Sequence, residues 1–157
     1  MTFEELAARP VTDLIPHALP MALLDRSIEI NGDFYVGEVV IRKDSLFSDG
    51  EKVPAWVGIE YMAQCVAAFA GATALKKGES VKVGFLLGTR EYHVKTPYFK
   101  VGARLRIHVK KVIHDPGALS VVECSLSVFG DAGPLVTANL NVFEVPSLSA
   151  YLKENAL

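Results

Sequence analysis

Apolar residues along this chain fall into two regimes. Between Trp56 and Leu75 they crowd together almost without interruption; from Val81 onward they recur in shorter runs rich in Val, Ile, Leu and Phe, several alternating with polar residues. The first regime predicts one long helix that opens at Pro54 and stops at Gly78. The second predicts strands over residues 81–87, 91–96, 103–114, 119–129 and 135–144, with turns at 115–117 and 130–134. Ahead of the helix, residues 27–30 and 34–42 flank Asn31-Gly32 and read as a hairpin, followed by a polar loop over 45–52. Short helices are expected over 2–8, where Thr2 and Glu5 have capping-box spacing, and over 147–155. A helix that is apolar on nearly all sides must be wrapped. A curved antiparallel sheet around it makes an α+β architecture, with residues 1–157 as one domain.

Composition narrows the function classes. Half of the residues are apolar and 22% are charged, as in a folded domain. The net charge is −2 with dispersed Lys and Arg, so no basic stripe points to nucleic acid. The run from Trp56 carries Glu60 and Gln64 and is rich in Ala and Gly, which fits a core helix better than a membrane span. The N-terminal residues are acidic and form no basic-then-apolar leader, so the expected compartment is the cytoplasm. Cys65 and Cys124 sit in apolar segments without a CxxC spacing, which predicts buried thiols and gives no support for a metal site.

Glu60 stands alone as a charge in its helix. An isolated carboxylate among apolar neighbours is costly to keep ionised, and a carboxyl kept neutral suits delivery of a proton to a leaving group. Its place in the first helical turns pulls the other way, because the positive end of the helix dipole favours the anion.

Three ordered blocks carry a family resemblance. Residues 14–26, reading LIPHALPMALLDR, residues 53–64, reading VPAWVGIEYMAQ, and GFLL at 84–87 followed by Thr96-Pro97 and VGARL at 101–105 resemble the 3-hydroxyacyl-acyl-carrier-protein dehydratases. Residues 46–54 hold no histidine where that family has one ahead of the helix, and in this the chain is similar to a divergent subgroup linked to aryl polyene synthesis. The resemblance implies a hot-dog fold, an obligate dimer whose sites are built from both subunits, and a substrate held on the phosphopantetheine of an acyl carrier protein with no further cofactor. It also implies either a homodimer or a heterodimer with a related dehydratase subunit.

Dehydration of a 3-hydroxyacyl thioester needs a base near C2, an acid near the C3 hydroxyl and donors at the carbonyl. Glu60 is the candidate acid, and His17, held between Pro16 and Pro20, the candidate base. Asp25 is expected either to orient His17 or to form an ion pair at a strand start, and Gln64 to orient or satisfy Glu60. The backbone amides of Ala55, Trp56 and Val57 are expected at the carbonyl. Trp56, Tyr61, Met62, Phe69, Phe85, His93 and Tyr98 are candidates to line the acyl channel, with plain core as the alternative; His108 and His114 are expected in solvent. Two other readings stay open: a thioesterase on the same fold, and a half-catalytic partner subunit.

Overall fold

A computed structural model describes residues 1–114, 119–145 and 147–156. The elements in chain order are α1 (Phe3–Ala7), β1 (Arg26–Ile30), β2 (Phe34–Val40), β3 (Lys52–Pro54), α2 (Gly58–Lys76), β4 (Gly84–Val94), β5 (Tyr98–Lys100), β6 (Arg104–His114), β7 (Leu119–Val128), β8 (Val136–Glu144) and α3 (Leu148–Glu154). Six strands form an antiparallel sheet in the order β1-β2-β6-β7-β8-β4, while β3 and β5 pair separately. The sheet curves around α2, which packs against β2, β6 and β7. This is the hot-dog fold.

Local chemistry accounts for the ends of these elements. The Thr2 side chain caps α1 and Glu5 returns the bond to the Thr2 amide, a complete capping box. Asn31 Oδ1 accepts from the amides of Asp33 and Phe34 and closes the first hairpin. Beyond α2, Gly78 takes a φ of 77°, the left-handed conformation that a helix stop favours.

Three expectations change. The strands expected at 81–87 and 91–96 are one strand, β4, interrupted by irregular register between Leu86 and Gly88 and between Thr89 and Tyr92. Gly88, at a φ of 141°, belongs to a bulge and not to a turn between strands. The start expected for the helix at Pro54 is instead a 3-10 turn over Ala55–Val57 leading into α2. The strands β3 and β5 fall where the sequence pattern predicts none; each is three residues long and exists through its pairing with the other. The expected turn at 115–117 lies outside the described residues.

The core sits between one face of α2 and the concave face of the sheet. Tyr61, Met62, Cys65, Phe69 and Ala72 meet Tyr35, Val39, Ile107, Leu126 and Leu140, all buried. Each fully buried large apolar side chain contributes about 1.5–3 kcal/mol. The other face of α2 is not wrapped as expected: Glu60, Ala63, Ala67 and Ala70 are only half-buried. Cys65 and Cys124 are free and buried. Burial pushes both thiols up, Cys124 to about 12 and Cys65 well above its ordinary value. Among the described residues, no helix is long and apolar enough to cross a membrane.

Glu38 on β2 is a buried carboxylate that the sequence pattern does not single out. It accepts from Arg26 Nε at 2.9 Å and Arg106 Nε at 2.7 Å, with Arg104 at 3.9 Å. Burial alone would raise its pKa, but the hydrogen bonds and charges of Arg26 and Arg106 outweigh it and hold the carboxyl below the usual range. A depressed folded-state pKa stabilises the fold above the unfolded value, roughly 4.3, and that contribution fades as pH falls through the folded value. Urea midpoints should therefore show wild type ahead of Glu38→Gln at neutral pH, with the gap narrowing in acid. A gap independent of pH would refute the assignment.

Candidate active site

The segment from Leu14 to Leu24 carries one half of the site. Leu14 and Ile15 anchor it in the core at 0% and 4% exposure. It lies so close to α2 that a Cβ on Gly71 would collide with the Leu14 carbonyl oxygen. Glycine at that position is what lets the loop backbone rest on the helix. Two bonds to the Ala18 carbonyl, from the amides of Met21 and Ala22, tighten the turn after His17.

The loop and the helix bring His17 and Glu60 together. His17 Nε2 stands 3.8 Å from Glu60 Oε1, and the two side chains are 30% and 31% exposed. Glu60 is thus not engulfed by its apolar neighbours; it faces an opening. Gln64, fully buried one turn on, donates from Nε2 to Glu60 Oε1 at 2.9 Å and to the Met21 carbonyl at 2.6 Å. Its Oε1 accepts from the Leu23 amide at 2.8 Å. One side chain therefore both aims the carboxylate and ties down the loop that carries His17. His17 Nδ1 is buried and has no hydrogen-bond partner among the described residues.

His17 and Glu60 line a cleft of about 130 Å³. Its floor is the half-buried face of α2, with Ala63, Ala67 and Ala70, and its wall includes Phe85, Leu86 and Phe143. The alanines could have been found in the sequence, since they continue the face of Glu60 at helical spacing.

Other candidates lie elsewhere. Asp25 does not orient His17: its carboxylate accepts from the Val40 amide at 2.6 Å and from Arg42 Nη1 at 2.8 Å. The ion-pair alternative describes it, with Arg42 as partner. The Ala55 amide is unavailable to a substrate carbonyl because it donates to the Pro97 carbonyl at 3.0 Å. The Ala55 carbonyl in turn accepts from the Tyr92 hydroxyl at 2.6 Å, and none of Ala55, Trp56 and Val57 lines the cleft, so the structure does not place the expected amides there. Tyr61 and Met62 are 2% and 0% exposed and belong to the core under the sheet, as does Phe69. Trp56 is 62% exposed, stands edge-on to Phe47 and does not line the cleft. His93 is exposed on β4 beside Glu91 at 3.1 Å, and Tyr98 lies under Lys52; neither reaches the cleft. Of the expected lining residues only Phe85 does. His108 stacks on Phe34 at an exposed position, and the His114 side chain lies outside the described residues. Among the described residues, no cluster of three or more His, Cys, Asp or Glu could hold a metal ion.

A carboxyl and an imidazole beside an apolar cleft, on a hot-dog scaffold, make an arrangement suited to acid–base chemistry. The chain belongs to the ApeP-like family, described as ApeP dehydratase, whose model matches residues 9–153. Among solved structures it is similar to the dehydratase heterocomplex ApeI:P from Xenorhabdus doucetiae, with a TM-score of 0.84 and 28% identity over 95% of this chain and 99% of that one. A mutant of the thioesterase PA1618 from Pseudomonas aeruginosa, at 12% identity and a TM-score of 0.64, covers 94% of this chain and 96% of its own. Cj0977, a sigma28-regulated virulence protein from Campylobacter jejuni, has 13% identity and a TM-score of 0.62, with coverage of 92% and 91%. These last two share the fold alone. No curated protein matches the chain.

Proposed function

We propose that this dehydratase acts on 3-hydroxyacyl groups carried as thioesters on the phosphopantetheine of an acyl carrier protein, with His17 as base and Glu60 as acid. The observation that carries the reading is the 3.8 Å approach of His17 Nε2 to Glu60 Oε1 in the lining of the apolar cleft. In this scheme His17 Nε2 takes the proton from C2 and the C2–C3 double bond forms. The C3–O bond breaks, and the hydroxyl leaves as water with the proton of Glu60. The histidine then holds an extra proton and the glutamate lacks one. Their separation is short enough for one bridging water to return it and reset the pair.

A second element of the proposal is the partner. One similar solved structure is a dehydratase heterocomplex, so a related hot-dog subunit is the proposed partner.

The test is turnover of a 3-hydroxyacyl carrier thioester by the pure chain, alone and mixed with a related hot-dog dehydratase subunit. The expected product is an enoyl thioester, with the higher rate in the mixture. Release of free thiol in place of enoyl product would establish a thioesterase and end this reading.

A further inference from the structure

The polar groups of the cleft are gathered at its two ends. At one end are His17 and Glu60; at the other are Lys82 and Glu144. Glu60, Ala63, Ala67 and Ala70 follow one face of α2, so the floor between the ends is about 15 Å long at 1.5 Å per residue. Lys82 is fixed beside the last turn of α2. Its Nζ lies 2.9 Å from Glu79 Oε2, and the Glu79 amide donates to the Ala74 carbonyl. From there the same ammonium reaches Glu144 Oε1 on β8 at 3.8 Å.

We propose that Lys82, bridging Glu79 and Glu144, closes the far end of the cleft and sets the longest acyl chain that the enzyme accepts. This rests on the reading that the cleft holds the acyl group of the substrate. Along the alanine floor each additional methylene gains by leaving water, about fourfold in affinity per group. At Lys82 the gain reverses. An alkyl end pressed onto the ammonium and its two carboxylates would strip them of water and offer no hydrogen bond in return. Lys82 is thus a specificity-determining residue placed a full groove away from the reacting carbons. The pair is partly exposed, with side chains 33% and 36% accessible, so its contribution to folding is small and its replacement is tolerable.

The experiment compares wild type, Lys82→Ala and Lys82→Gln in the full chain. Saturated acyl-pantetheine thioesters of increasing length are titrated by calorimetry, and the matching 3-hydroxyacyl thioesters are assayed for kcat and KM. Wild-type affinity should rise with length and then drop. Lys82→Ala, which removes both bulk and charge, should push the drop to longer chains and raise the ratio of long-chain to short-chain affinity by at least about fourfold. Lys82→Gln should shift it less, since it keeps most of the bulk. In the kinetics the change should fall on KM for long chains. The same length profile in all three proteins would overturn the proposal. The calorimetry needs no turnover, so absence of enoyl product would count against the proposed reaction, whereas an unmoved length limit would count against Lys82.

Discussion

Glu60→Gln is expected to lower kcat by about two to four orders of magnitude, the usual weight of a general acid. The replacement is close to isosteric, and its amide oxygen can still accept from Gln64 Nε2, so the helix and the Leu23 contact stay in place. His17→Ala should cost a similar factor. It removes a ring whose Nδ1 makes no hydrogen bond among the described residues, so no partner is orphaned and the melting temperature should hold. If the two groups act as one unit, the double variant should be scarcely slower than either single one. Steady-state kinetics of the three proteins decide the matter. A Glu60→Gln enzyme at wild-type rate would remove the acid from the mechanism, and fully multiplicative losses would remove the coupling.

Gly71→Ala should be strongly destabilising. In a free helix, alanine is favoured over glycine by about 1 kcal/mol. Here the new methyl would run into the Leu14 carbonyl oxygen and stand 2.9 Å from its carbon. Both are backbone atoms, so no side chain can rotate away, and the loop must lift from the helix. The expected loss is about 3 kcal/mol or more, or roughly 6–12 °C in Tm for a domain of this size. Because the lifted segment carries His17 three residues later, activity should fall along with stability. A denaturant melt is enough to test the sign: a gain in stability would mean that the loop does not rest on the helix as described.

The elements that can be read in the sequence are those whose stability is local or periodic. The alternation in β6 and β7, the Thr2–Glu5 box and the Gly78 stop all act within a few residues, and each is found where expected. In β4, Gly88 and its polar neighbours resemble a turn between two strands; only pairing with β8 carries one strand through them. The three-residue strands β3 and β5 have no pattern long enough to show. The site divides in the same way. Glu60 and Gln64 can be named from residue type and helical spacing and His17 from its place between two prolines, and they do converge. Asp25 has Arg26 beside it in the sequence, but its partner in space is Arg42 across the β1–β2 hairpin. Tyr61 and Met62 have the size and polarity to line a channel, yet helical phase turns them to the sheet and turns the plain alanines to the cleft.

The burial of Cys65 and Cys124 bears on the enzyme's durability. The proposed product, an enoyl thioester, is an electrophile: its C3 accepts a thiolate, so it would alkylate any reactive cysteine that it met. An enzyme that forms such a compound at every turnover needs its sulfur kept out of reach. Here one thiol is inside the helix face and the other beneath the sheet, and burial raises the pKa of both, which disfavours the reactive thiolate. The packing that builds the core thus also protects the protein from its own chemistry.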